Sequence, residues 1–175
     1  VLFRSGLNGS GSSGQPTGIC NTTGVHAVEG ITPGSATAAN VEAFLDVVTD
    51  SDADEEALTF VAPSKVKKAL RNIRRPVVEV KNGENVAAVY GGELILKNGA
   101  LFDVPVLASN VAPAKKLICG DFSQLIICGW GGDTFDIEVN PFTLSDSGAV
   151  RVNVYKDVDV IVRNPEAFAT GTILA

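Results

Sequence analysis

Val150-Arg151-Val152-Asn153-Val154-Tyr155-Lys156-Asp157-Val158-Asp159-Val160-Ile161-Val162 is the stretch on which the fold turns. Valine occupies every even position except 156. Alternate side chains of an extended chain point to the same face, so the pattern predicts a half-buried antiparallel strand. At ~3.3 Å per residue it spans on the order of 45 Å. That exceeds the ~30–40 Å width of a domain of this size, and strands average only ~5–6 residues. Either the strand bends near Lys156 or it forms an elongated arm leaving a compact unit, and its length favours the arm.

Upstream, Phe135, Ile137 and Val139 alternate with Thr134, Asp136, Glu138 and Asn140, and a loop with Pro141 and Gly148 separates the two runs. Alternating runs on either side of a turn-rich loop predict a hairpin. Earlier come short apolar runs at 77–80, 86–90, 93–96, 104–107 and 116–119. Asn82-Gly83, Gly91-Gly92 and Asn98-Gly99 punctuate them as tight turns.

Two helices accompany these strands. Thr37 suits the N-cap of the first, which runs to about Asp50 with Val41, Phe44, Leu45 and Val48 on one stripe. Its other face is acidic: from Glu42 to Glu56 there are seven carboxylates and no base. Leu58-Thr59-Phe60-Val61 reads as a strand. Ala62-Pro63-Ser64 then opens the second helix, where proline's missing N–H costs nothing. Val66, Ala69, Leu70 and Ile73 form its apolar stripe, and Pro76 ends it. Its outer face carries Lys65, Lys67, Lys68, Arg71, Arg74 and Arg75 without an acid. Residues 6–18, rich in glycine and serine, predict a loop, and Gly30 to Ser35 a second turn-rich stretch. The expected class is α+β. It comprises a loop and junction over 1–23, a compact α+β unit over 24–122, and an elongated antiparallel β-arm with the C-terminal segment over 123–175.

Hydrophobic residues at 45% supply a core and exclude global disorder. A net charge of −6 argues against a protein that coats duplex DNA, because phosphate neutralisation supplies most of that affinity. Cys20, Cys119 and Cys128 are odd in number and lack C-x-x-C spacing, which supports neither a disulfide framework nor a zinc site. Cys119 and Cys128 sit in apolar runs and read as small buried hydrophobes. No run approaches the ~18 apolar residues that span a bilayer, so no membrane partner is expected. The absence of methionine predicts a fragment or processed product lacking an upstream part.

Gly9-Ser10-Gly11-Ser12-Ser13-Gly14 matches G-x-G-x-x-G. The dinucleotide mechanism needs a helix N-terminus after the loop, and Gln15-Pro16-Thr17-Gly18 opposes one. His26 is the only histidine and no G-x-S-x-G elbow is present. It reads as a surface or satisfied structural residue. The acidic stretch lacks calcium-loop spacing, and the basic helix lacks aromatics to stack bases. No catalytic, cofactor-binding or metal-ligating residue is expected. The opposed helix faces instead predict contact between copies of the chain, through Glu42 and Asp46 on one and Lys67, Lys68, Arg71 and Arg75 on the next. Such heterologous contacts close into rings, and complementary charge steers their register.

The order of phrases resembles the tailed-bacteriophage major capsid proteins with the Hong Kong ninety-seven coat fold, from about Gly9 to Ala169. The marks are Gly14-Gln15-Pro16-Thr17-Gly18-Ile19 and Phe60-Val61-Ala62-Pro63 before a basic helix. Val104-Pro105-Val106, Ala108-Ser109-Asn110 and Gly120-Asp121-Phe122-Ser123-Gln124 follow. Gly129-Trp130-Gly131-Gly132, Asp157-Val158-Asp159-Val160 and Arg163-Asn164-Pro165-Glu166-Ala167-Phe168 complete the series. The resemblance implies that 24–122 is an axial domain and 133–163 belongs to a peripheral sheet. It further implies that the family's N-terminal arm, elbow loop and spine helix would precede this chain.

It implies a non-enzymatic structural subunit that self-assembles into pentamers and hexamers of an icosahedral shell around loosely held dsDNA. The virion capsid would be its location, with assembly in the host cytoplasm and with protease, portal or decoration proteins as further partners. An encapsulin-type nanocompartment shell has the same fold and is the first alternative; the Gln15-Pro16 loop and Trp130 stretch lean toward phage. A small α+β hydrolase or ligand-binding domain is the second, and it would need convergent polar groups that the sequence does not offer.

Overall fold

Leu58-Thr59-Phe60-Val61-Ala62 is apolar at all positions but one, and it forms the strand around which the molecule is organised. The computed structural model describes residues 2–29, 31, 36–51, 53–81, 84–89, 92–131 and 135–174. The helices are α1 (Leu2–Asn8), α2 (Ala38–Thr49) and α3 (Ser64–Leu70). The strands are β1 (His26–Ala27), β2 (Leu58–Ala62), β3 (Val77–Lys81), β4 (Glu84–Val89), β5 (Leu96–Lys97), β6 (Ala100–Leu101), β7 (Val104–Ala108), β8 (Lys116–Asp121), β9 (Leu125–Gly129), β10 (Asp136–Asn140), β11 (Arg151–Tyr155), β12 (Val158–Val162) and β13 (Phe168–Thr172).

β2 lies between antiparallel β8 and parallel β7 in a seven-stranded sheet ordered β1-β13-β8-β2-β7-β6-β5. Strands covered on both faces need apolar residues at successive positions, which explains the run in β2. Leu58, Phe60, Leu117 and Cys119 point to one face, where Val41, Phe44 and Val48 of α2 and Val66 and Leu70 of α3 are buried. Val61, Ile118 and Phe168 point to the other, against Leu7 of α1 and Ile19. The fold is α+β, as expected.

Thr37 caps α2 as its sequence predicts. Its Oγ1 accepts from Asn40 N at 3.3 Å, and Asn40 Oδ1 accepts from Thr37 N at 3.0 Å, a reciprocal box that satisfies two end donors. The second helix is shorter than its stripe implies. α3 stops at Leu70 because the following backbone pairs elsewhere: Ile95 N donates to Ile73 O at 3.1 Å and Arg75 N to Glu93 O at 2.9 Å. Asn98-Gly99 joins β5 to β6 with both residues at positive φ, the expected tight turn. Asn82-Gly83, Gly91, Gly30 and 32–35 lie outside the described residues.

Three expectations need correction. Residues 2–8 are helical rather than part of a loop, and the loop proper is 9–18, closed by the Ser10–Thr17 bridge. The run at 93–96 gives only the edge of β5 plus a Leu94–Arg74 bridge, since residues 93–95 pair with the chain leaving α3. The C-terminal segment does not stay with the arm. β13 enters the seven-stranded sheet between β1 and β8. Phe168-Ala169-Thr170-Gly171-Thr172 lacks alternation because it is buried on both sides, Gly171 directly under the Phe44 ring.

Candidate functional site

The alternating residues form a long antiparallel hairpin. β9 pairs with β12 at its root and β10 with β11 toward its tip, in continuous order. The strand break falls at Lys156 and Asp157, between the Gly129–Val158 pair of the root and the Asp136–Tyr155 pair of the tip. Trp130 N donates to Asp157 O at 3.0 Å and carries the ladder one step past the root. The arm is therefore present and also interrupted where the valine parity meets Lys156.

Cross-strand register sorts the tip into two faces. Ile137 pairs with Val154 and Val139 with Val152; Glu138 pairs with Asn153 and Asp136 with Tyr155. The polar face is knitted by Glu138 Oε2, which accepts from Asn153 Nδ2 at 3.2 Å and from the Tyr155 hydroxyl at 3.3 Å. The apolar face is open: Ile137 is 65% exposed, Val139 59%, and Val152 and Val154 57% each. Here the half-buried expectation is overturned, because a two-stranded ribbon has no second layer of its own. At the root the same parity carries Val160, buried at the Gly6 backbone of α1. Burying a Val or Ile side chain contributes ~1.5–3 kcal/mol, and an isolated hairpin is marginal in water. A tip of this kind calls for a protein cover.

A second surface is charged. Beside α2, a groove of about 700 Å³ is walled by Asp46, Asp50, Glu55, Glu56 and Asp103 over Leu58 and Phe102. Phe102 and Asp103 turn β6 into β7 with φ of +50° and +69°. This conformation is uncommon for a bulky residue, so no residue preference signals it. Asp103 lies far from the acidic stretch in sequence, and only the fold brings it to the groove. Lys68 of α3 and Arg71 at its C-terminal cap are exposed and border a depression with Ser64, Lys67 and Ala108, where no acid among the described residues lines the wall.

Of the six residues expected to join copies, three remain uncommitted. Arg75 Nη2 is 3.2 Å from Glu42 Oε1 of the same chain, and Lys67 Nζ donates to Val106 O at 2.8 Å. Asp46, Lys68 and Arg71 have no ion pair among the described residues. Glu42 and Arg75 thus tie α2 to the segment after α3 within one chain.

The quoted phrases occupy bends and junctions. Gly14 sits exposed at φ +75° beside Gln15, whose N–H donates to Ser12 O at 3.1 Å. Pro16 O accepts from Gly11 N, and buried Gly18 donates to Gly9 O at 3.0 Å. Gly120 faces Phe168 across the β8–β13 ladder. Asp121 turns the chain from the sheet into the hairpin: its carboxylate accepts from Ser123 N and Oγ at 2.8 Å each and from Gln124 Nε2 at 3.1 Å. Burial pushes that carboxyl up, but these hydrogen bonds outweigh it and hold it below the usual value. Trp130 is exposed and Gly131 has φ +81°, while Gly132 lies outside the described residues. Pro165 and Glu166 form a 3-10 turn that delivers Phe168 edge-on to Phe122, centroids 5.5 Å apart. Asn110 Oδ1, from the Ala108-Ser109-Asn110 phrase, accepts from the Ser64 hydroxyl at 3.1 Å as α3 begins. His26 Nε2 lies 2.9 Å from Ser51 Oγ, the structural role expected of it.

No group of three or more His, Cys, Asp or Glu among the described residues has the arrangement of a metal site. Among the described residues, no helix is long and apolar enough to cross a membrane.

Residues 2–173 match the Phage capsid family. A major capsid protein of Halomonas phage phiHAP-1 is 33% identical over 78 residues, covering 45% of this chain and 13% of that protein. The capsid of a native GTA particle superposes with a TM-score of 0.66 at 20% identity, over 99% of this chain and 61% of that one. An encapsulin from Synechococcus elongatus PCC 7942 superposes with a TM-score of 0.52 at 14% identity, over 90% and 56%. At these identities the two solved structures show the fold alone. The chain spans about three fifths of the capsid chain it superposes on, and a smaller part of the curated relative.

Proposed function

The chain belongs to the phage capsid family, and from that premise we propose that it is the part of a major capsid protein that builds the axial sheet and one peripheral hairpin of an icosahedral shell. Copies assemble as pentamers and hexamers around dsDNA, in the host cytoplasm, and the protein ends in the virion. A net charge of −6 fits a wall that holds packaged duplex only loosely. Protease, portal and decoration proteins are the further partners proposed. The role is structural, with no reaction assigned to any residue.

The observation that carries this reading is the open apolar face of Ile137, Val139, Val152 and Val154. A free-standing domain gains nothing from a strictly alternating ribbon whose apolar side meets water, and contiguous exposed apolar surface marks an interaction site. In a shell that side is covered by protein of the same assembly. The phage relative at 33% identity favours this reading over the encapsulin alternative.

Ile137→Asp with Val154→Asp in the full-length gene product tests it. Both side chains are exposed, so the seven-stranded sheet keeps its fold and its melting temperature. Particles in sedimentation velocity should disappear. Shells at unmodified yield would show that the face is not used.

A further inference from the structure

We infer that a second copy of this chain seats the basic face of α3 in the acidic groove beside α2, head to tail around the ring. This rests on the shell reading above and names the contact within one ring of subunits.

The two faces sit at opposite ends of one ladder. Leu58 and Val104, the first residues of β2 and β7, lie at the groove. Ala108, the last of β7, borders the basic depression, and Ala62 leads through Pro63 into α3. The ladder between them is about 15 Å long at ~3.3 Å per residue. Both faces lie on the helix-covered side of the sheet, since α2 and α3 share its core. The two halves of the contact differ and lie apart, so within the ring proposed above a rotation that repeats from copy to copy pairs each basic face with the next acidic groove.

Charge supplies the occupant. Among the described residues, no Lys or Arg lines the groove. Among the described residues its carboxylates enter no ion pair, and neither do Lys68 and Arg71. Carboxylates crowded on one wall repel each other, and a cationic partner removes that cost and steers register. Lys68 and Arg71 are three apart on α3, so they present together. Lys67 and Arg75 are excluded because each is engaged within the chain. A nucleic acid would repel the groove, whereas the chain's own α3 complements it.

Charge exchange in the full-length gene product decides the matter. One variant carries Asp46→Lys and Asp50→Lys, a second Lys68→Glu and Arg71→Glu, and a third carries all four. These positions are exposed, and thermal melts verify that each variant folds. Like charges facing each other should cut particle yield about tenfold or more in each of the first two. The combined variant restores opposite charges and should return to within about twofold of the unmodified protein. Either single-side reversal assembling at full yield overturns the contact while leaving the shell reading intact. A combined variant no better than its parents does the same. Failure of the unmodified protein to form particles overturns both.

Discussion

Arg75 holds Glu42 at 3.2 Å and also lies over Phe102, its guanidinium carbon 4.7 Å from the ring centroid. One side chain thus clamps α2 and the strained β6–β7 turn to the chain leaving α3. Both partners of the ion pair are half-exposed, so the pair itself contributes at most ~1 kcal/mol. The cation–ring contact adds ~0.5–1 kcal/mol. Arg75→Ala should therefore lower stability by about 1–2 kcal/mol in urea titration, and Glu42→Gln by less, at most about 1 kcal/mol. Equal losses from the two variants would assign the whole effect to the ion pair.

Asp121 is the corner between sheet and hairpin, and its carboxyl is held below the usual range by the donors of Ser123 and Gln124 despite burial. A depressed value means the native state favours the charged form. The stability so gained is full above the unfolded value of ~3.9 and is lost as pH falls through the lower folded value. Asp121→Asn should cost about 1–2 kcal/mol at pH 6, by analogy with capping carboxylates. The gap between the two proteins should narrow below about pH 4. A gap independent of pH would mean that charge plays no part in the corner.

Gly18 is irreplaceable for a steric reason. A Cβ there would lie 2.5 Å from the backbone nitrogens of Asn8 and Gly9 and 2.6 Å from Ser5 O. Backbone cannot move aside as a flexible side chain does, so Gly18→Ala should destabilise by about 2 kcal/mol or more. Gly14, with open space around it, should cost about 1 kcal/mol through its positive φ alone. Comparing the two variants by thermal melting separates crowding from backbone conformation. A Gly14 substitution as costly as that at Gly18 would contradict the assignment.

Much of this was legible in sequence because local chemistry decided it. Thr37 with Asn40, the even-numbered valines and Asn98-Gly99 each fix their conformation within a few residues. What escaped was set at a distance. β13 lacks the alternation of a half-buried strand because Phe168 to Gly171 are buried in succession, Gly171 under the Phe44 ring. α3 ends early because residues 93–95, remote in sequence, pair with the backbone that follows it, Glu93 O accepting from Arg75 N and Ile95 N donating to Ile73 O. The acidic groove needed Asp103, delivered by a left-handed turn at Phe102 that no propensity suggests. The valine pattern correctly gave the hairpin but not its exposure, because alternation follows from the pairing of two strands and a two-stranded ribbon has no second layer of its own.

Cys119 is buried and its thiol is pushed up to about 12 by burial. The thiolate is the reactive form, so native protein at pH 8 should leave Cys119 unmodified by iodoacetamide, with labelling only after denaturant is added. Cys119→Ser, which buries a hydroxyl among apolar neighbours, should cost about 1–3 kcal/mol. Rapid labelling of Cys119 in the native state, read by peptide mass mapping, would contradict its place in the core.

A chain that is the wall of a shell should be visible as one when the full-length gene product is expressed with its cognate protease and imaged by electron microscopy. Closed icosahedral particles are expected, with the hairpin tip covered and α3 of one copy against the acidic groove of the next. Soluble monomers under all conditions of salt and concentration would overturn the shell reading.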